Sequence, residues 1–402
     1  MHRGPLFVGA WSSLMGLCVL ALVFLGGCAA PARPTYSSSE ASRAQIPGFE
    51  NIRAHADDPR PPKSVYDPWR PIIGKDKPAM LAISGGGAGG AFTVGVLSAW
   101  SELGTRPRFQ VVTGVSTGAL IAPFAFLGTQ YDKRLRSLYL SDQPRRLVDL
   151  NWRGLGVFSS SLLQGNALRE MVEDNITPEI LDQIAREHRA GRRLLVMTTN
   201  LDTQRAVVWN IGAIASSERV DALPLVRQLL IASASVPGIF PPVSINTVVD
   251  GRLIEELHSD GGSSAQFFTL PEHLIVAPSR TGEGKLHIYV IINNALIPEF
   301  SMTASKALPI MARAYAILLK SQTKQGLIAL YNFTQRSGID LDIASIDEQV
   351  PYSMADPLNS VYMRTVYRIG YRKAFGDHLW TQYPQFTIPN EFSGATKVSS
   401  SR

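Results

Sequence analysis

Short, wholly apolar runs along the middle of the chain alternate with stretches whose apolar residues recur every three or four positions, a pattern that predicts strands feeding helices. Ala79-Met80-Leu81-Ala82-Ile83 reads as a buried parallel strand. It breaks into Ser84-Gly85-Gly86-Gly87-Ala88-Gly89-Gly90, after which Phe92, Val96, Trp100 and Leu103 fall on one helical face and Gly104 supplies the stop. A second strand over 109–113 runs into Gly114-Val115-Ser116-Thr117-Gly118, followed by a helix carrying Ala119, Leu120, Ile121, Phe124 and Leu127. Further strands are expected over 194–198, 206–209, 253–259 and 286–292, and long helices near 304–330 and 361–379. This alternation defines an α/β chain with a mainly parallel central sheet flanked by helices. There is no internal repeat.

The ends of the chain read differently. Arg3 precedes an apolar run from Leu6 to Leu25, which closes on Leu25-Gly26-Gly27-Cys28. The small residues before Cys28 resemble the lipobox of bacterial lipoproteins, in which the thiol receives a diacylglyceryl group and becomes the new N-terminus. Residues 1–27 are therefore expected to be a signal peptide and Cys28 a lipidation site, palmitate included; an uncleaved membrane anchor is the alternative. Ala29 after Cys28 suggests the periplasmic face of an outer membrane rather than an inner one. With Cys18 inside the apolar run and Cys28 acylated, no disulfide and no cysteine-based metal site is expected. Residues 28–78, punctuated by Pro31, Pro34, Pro47, Pro59, Pro61, Pro62, Pro68 and Pro71, read as a tether, although Val65, Tyr66, Trp69, Ile72 and Ile73 could dock its last part; 393–402 read as a loose tail.

Composition excludes little: 45% of residues are hydrophobic and 18% charged, ordinary for a globular chain. Removing residues 1–27 takes away only Arg3, leaving 38 basic against 33 acidic residues, a balance of +5 without a long basic run. Nucleic-acid binding is not supported, no metal site has convincing spacing and no cofactor is expected.

Candidate chemistry lies in the two glycine-rich crossings. Right-handed crossovers bring both loops to the carboxyl end of the sheet. There, successive glycines can aim backbone N–H groups at an anion, and glycines around Ser116 permit the sharp turn that exposes a nucleophilic Oγ at a helix N-terminus. Gly85-x-Gly87-x-x-Gly90 alone also fits a dinucleotide fold, but the next strand ends without the carboxylate such a site requires.

A third segment, Ala232-Ser233-Ala234-Ser235-Val236-Pro237-Gly238-Ile239-Phe240-Pro241-Pro242, leads to Asp250-Gly251 and then to His258-Ser259-Asp260-Gly261-Gly262. Together the glycine loop, Gly-x-Ser-x-Gly and Asp-Gly-Gly resemble the patatin-like phospholipase family over residues 80 to 270. The resemblance implies a three-layer α/β fold, with a catalytic domain over 79–275 and a C-terminal strand and helical extension over 276–392. It implies a Ser116–Asp260 dyad, an oxyanion hole at Gly85, Gly86 and Gly87, and Gly90, Gly114, Gly118, Gly261 and Gly262 as motif glycines. Its substrate would be a lipid or phospholipid ester cleaved through an acyl-enzyme, and burial would have to raise the Asp260 pKa. Gly89 stands where the family usually carries Arg or Lys. Asp250-Gly251 reads as a hairpin turn, leaving Asp260 as the base, and His258 is expected to be structural. The alternatives are a Ser-His-Asp esterase of α/β-hydrolase type drawing on His258, His273, His287 or His378, and a lipid-binding envelope lipoprotein without catalysis.

Overall fold

Among the described residues nine strands form one sheet. The computed structural model of the chain describes residues 33–58, 78–141, 166–276, 286–352, 358–376 and 378–386. Cys28, the expected signal peptide (1–27), the apolar positions from Val65 to Ile73 and the expected tail (393–402) lie outside the described residues. In chain order the elements are α1 (Ser38–Arg43), β1 (Arg53–His55), β2 (Ala79–Ile83), α2 (Gly90–Glu102), β3 (Val111–Val115), α3 (Thr117–Leu127), α4 (Asp132–Leu140) and α5 (Asn166–Asn175). Next come α6 (Pro178–Arg189), β4 (Arg193–Asn200), β5 (Arg205–Asn210), α7 (Ile211–Ala215), α8 (Ala222–Ser233), β6 (Val243–Val249) and β7 (Arg252–Asp260). The last are α9 (Glu272–Val276), β8 (His287–Ala295), α10 (Ala307–Ser337), β9 (Asp340–Ile346) and α11 (Ser360–Phe375).

The order across the sheet is β1-β5-β4-β3-β2-β8-β9, and the β6–β7 hairpin joins through β7 to β4. The central strands β4, β3, β2, β8 and β9 are parallel. The antiparallel strands β1, β5, β6 and β7 gather at one end. Every residue of β2 is buried, because both faces of the parallel core are covered. Leu81 and Ile83 enter one apolar cluster with Phe92, Ile121, Phe124, Leu229 and Val366. Met80 and Ala82 enter the other, with Leu327, Leu330 and Phe333 of α10. That period of two gives the three layers. Each such aliphatic or aromatic side chain contributes about 1.5–3 kcal/mol on burial.

Two segments depart from expectation. Residues 33–58, expected within the tether, are built into the body. Ser37 and Glu40 form a reciprocal capping box that starts α1, β1 extends the sheet beside β5, and Ile46, Phe49 and Ile52 are buried in the main core. Proline and serine content reports weak helix propensity, not the edge-strand docking that ion pairs such as Arg33–Asp202 (2.6 Å) support. The second departure is C-terminal. The segment expected as an extension supplies β8, which lies beside β2 in the middle of the sheet, and β9, a strand the apolar pattern did not reveal. α10 runs to Ser337 and stops at Gly338, whose left-handed φ of 63° forms its cap.

Candidate active site

Ser116 and Asp260 meet because β4 outlasts β3. β3 ends with Val115 opposite Met197 of β4. β7, running the other way, ends with Asp260 opposite Thr198, the next residue along. The two strands arrive head-on beside β4, and residues 144 apart in sequence become neighbours.

Ser116 is held at φ 56°, ψ −126°, a conformation that L-residues seldom adopt and that the surrounding turn must enforce. Gly118 lets α3 begin directly over the end of β2: a Cβ there would sit 2.3 Å from the Ile83 carbonyl oxygen. The Ser116 N–H donates to Ser233 Oγ at 3.1 Å, and Ser233 Oγ donates to the Met197 carbonyl at 2.7 Å. The Ser116 hydroxyl donates to Asp260 Oδ2. Asp260 Oδ1 accepts from the Gly262 N–H at 2.6 Å, and its own N–H donates to the Ser235 carbonyl at 2.9 Å. Ser116 is 4% and Asp260 3% exposed. Burial drives the Asp260 pKa up to about 7, against the hydrogen bonds from Ser116 and Gly262 that pull it down.

The glycine loop turns beside them. Gly85, expected among the oxyanion donors, gives its N–H to the Gln266 carbonyl at 2.8 Å, so its amide is engaged in holding the loop. Among the described residues no acceptor is paired with the Gly86 or Gly87 N–H. Both residues border the same cavity as Ser116. The departure at Gly89 has a steric reason: a Cβ there would meet the Asn293 carbonyl oxygen at 1.9 Å. Asn293, fully buried on β8, clamps the loop. Its N–H donates to Ser84 Oγ and its Nδ2 to the Ser84 carbonyl, both at 2.8 Å, and its Oδ1 accepts from Thr93 Oγ1 at 2.6 Å.

The competing residues lie elsewhere. Asp250 and Gly251 form the β6–β7 hairpin turn with φ of 50° and 77°, and exposed Asp250 pairs with Arg43 at 2.6 Å. His258 is fully buried, with Nδ1 2.9 Å from Thr198 Oγ1 and Nε2 3.1 Å from Glu256 Oε2. The ionised Glu256 carboxylate can only accept, so the imidazole carries its proton on Nε2; with burial holding the ring neutral, Nδ1 accepts the hydrogen of Thr198 Oγ1, which itself accepts from Trp209 Nε1 at 2.8 Å. Neither ring nitrogen reaches Ser116. His287 starts β8 at the opposite end of the sheet, 2.8 Å from Asp342 Oδ2. Among the described residues no hydrogen bond joins His378 to Ser116, and the His273 side chain lies outside the described residues.

Ser116 and Asp260 open into a cavity of about 210 Å³. Val236, Ile239 and Phe240 from the Ser235-to-Pro242 segment line it on one side. Ala312, Tyr315, Ala316 and Leu319 of α10 line it on another, with Leu358 just before α11 and Tyr362 on it. A serine hydroxyl on a buried carboxylate, two available amides and an apolar chamber can together bind an acyl group and attack its carbonyl. Gln266 and Asn293 carry no sequence signal, and Ser233 stands in the third segment without one for its role, since no local pattern marks residues that act through backbone carbonyls and loops distant in the chain.

The fold and site define an α/β protein with a serine on a strand-to-helix elbow and an aspartate as its side-chain partner. Residues 81–271 match the family described as patatin-like phospholipase. A segment of 69 residues is 42% identical to the cUMP-AMP-activated phospholipase of Escherichia coli, covering 16% of this chain and 21% of that protein. The match thus spans about a fifth of that relative's length. Among solved structures, VipD from Legionella pneumophila aligns with a TM-score of 0.39 and 11% identity over 75% of this chain and 66% of that one. The type III effector protein ExoU aligns with a TM-score of 0.27 and 13% identity over 75% of this chain and 54% of that one.

Proposed function

We propose that this protein is a lipid acyl hydrolase of phospholipase A or lysophospholipase type, using Ser116 as nucleophile and Asp260 as general base. We propose also that acyl chains on Cys28 anchor it in the cell envelope, at the periplasmic face of an outer membrane. The observation that carries the hydrolase reading is the Ser116 hydroxyl donating to a buried Asp260 at the floor of an apolar cavity. Ionised Asp260 takes the proton as Ser116 Oγ bonds to the ester carbonyl carbon. The developing oxyanion is met by the Gly86 and Gly87 amides in the glycine loop that leads into α2. Collapse expels the alcohol, which leaves with the proton held on Asp260, and the acyl group stays on Ser116. Water then attacks with Asp260 again as base, and the fatty acid departs. A pKa near 7 suits both directions of transfer at neutral pH.

A fluorophosphonate probe tests this directly. Its adduct is expected on the tryptic peptide containing Ser116 and absent from Ser116→Ala. Labelling of another serine, or undiminished ester hydrolysis by Ser116→Ala, would defeat the reading.

A further inference from the structure

The first half of α10 is apolar on two faces. Ala312, Tyr315 and Leu319 line the cavity, while Ile310, Met311, Ile317 and Leu318 on the outer side are 52%, 66%, 58% and 66% exposed. Phe300 and Met302, just before the helix, are 89% and 87% exposed. A helix face as apolar as the outer one is ordinarily buried, and nothing in the described chain covers it. The second half behaves conventionally, with Ser321 and Gln325 exposed. At 100° per residue, Arg313, Lys320 and Lys324 line up on the flank between the two faces. With Pro298 and Glu299 they border a depression of about 370 Å³. That depression shares Glu299, Ala316 and Lys320 with the Ser116 cavity. Lys320 Nζ donates to Glu299 Oε2 at 2.9 Å and Arg313 to the Glu299 carbonyl at 2.5 Å. Lys324 lies over the Phe386 ring at 5.3 Å. Glu299 is thus the one carboxylate among the residues lining a depression that three cations share.

We infer that the first half of α10, with Phe300 and Met302, is the face on which the protein rests on an anionic lipid surface, so that the Ser116 cavity opens onto assembled lipid. The apolar side chains enter the acyl boundary, and Arg313, Lys320 and Lys324 sit at the level of the phosphates. The helix lies on the surface rather than across it: among the described residues no helix is long and apolar enough to cross a membrane. A second copy of the chain is a poorer occupant, because a two-fold contact would bring identical rows of cations together. The inference rests on the acyl-hydrolase reading and names the physical state of its substrate.

The test compares full-length wild type with Met311→Glu/Leu318→Glu, neither of which borders the Ser116 cavity, on a water-soluble short-chain ester and on phosphatidylglycerol or phosphatidylcholine vesicles. The double variant should keep soluble-ester turnover within about twofold and lose about tenfold or more on vesicles, since two charges would have to enter the acyl boundary. Lys324→Gln should lower the preference for phosphatidylglycerol over phosphatidylcholine by up to about fivefold, the factor one basic residue commands at an anionic surface. Unchanged vesicle turnover in the double variant would overturn the inference, as would a wild-type dimer that the double variant dissociates in sedimentation. A wild type that cleaves neither substrate would defeat the hydrolase reading instead. In that case, or if the double variant fails to fold, a phospholipid with a diazirine in its acyl chain decides: label within residues 300–318 supports the docking face, and its absence there refutes it.

Discussion

Strand β7 carries two buried carboxylates that behave in opposite ways. Glu256 is 1% exposed and Asp260 3%, yet Glu256 is held down at about 2 and Asp260 pushed up to about 7. Burial raises both, so what separates them is the company each keeps. Glu256 accepts from His258 and, at 2.6 and 2.9 Å, from both terminal nitrogens of Arg53. Asn200 adds a bond at 3.2 Å. Asp260 has a neutral hydroxyl and one backbone amide. The His258 hydrogen bond and the two-pronged Arg53 charge together outweigh desolvation and keep Glu256 an anion; a hydroxyl and an amide do not, and Asp260 is left ready to trade a proton. The same strand thus holds a structural acid and a reactive one, four residues apart.

Removal of the reactive side has the largest consequence. Ser116→Ala and Asp260→Asn should each lower ester hydrolysis by roughly a thousandfold, and the double variant should be little worse, because two residues acting as one unit are not additive. Turnover against pH should rise through an apparent pKa of about 7 in wild type, as Asp260 ionises. A profile flat from pH 5 to 9, or additive losses in the double variant, would place the base elsewhere.

Removing the structural side should cost stability and spare chemistry. Glu256→Gln leaves the Arg53 guanidinium, 13% exposed, without its counter-charge, a change worth about 3 kcal/mol when a buried pair is broken. Urea unfolding should report that loss, while turnover per folded molecule stays within a few-fold of wild type. A collapse of turnover with stability intact would show that the Glu256–His258 pair acts on the reaction, and the contrast along β7 would fail.

The reactive side was the more legible in sequence. Glycines around Ser116 and after Asp260 leave a local signature because the backbone must turn sharply there, and the apolar runs of β2 and β3 place both loops on one edge. The structural side leaves none: Arg53 and Glu256 are 203 positions apart, and Arg53 lies in a stretch whose proline and serine content reads as a tether. Asn293 is equally silent, reaching Thr93 across 200 positions. Gly85 shows the limit of the motif itself, since spacing marks a glycine loop but cannot tell which amide is committed to Gln266.

The smallest expected effect is thermodynamic and tests the sign of the Asp260 shift. An aspartate in the unfolded chain titrates near 3.9, whereas Asp260 in the folded protein does so at about 7. Between those values the unfolded chain has released its proton and the folded chain has not. Raising the pH through that window therefore favours unfolding, and above about 7 the loss is complete. Glu256 works with the opposite sign: its contribution is present above the unfolded value near 4.3 and is lost as pH falls toward 2. The two are separated by comparing Asp260→Asn with wild type, since Glu256 is common to both. An amide at position 260 can still accept the Gly262 N–H and has no charge to desolvate. The melting temperature of Asp260→Asn relative to wild type should therefore rise by a few degrees between pH 4.5 and pH 8, an inactive variant that is the more stable protein at the pH where wild type works. A relative melting temperature that falls over the same interval would mean that the Asp260 carboxylate is stabilised by its surroundings as Glu256 is, and that the hydroxyl and amide suffice to hold a permanent anion.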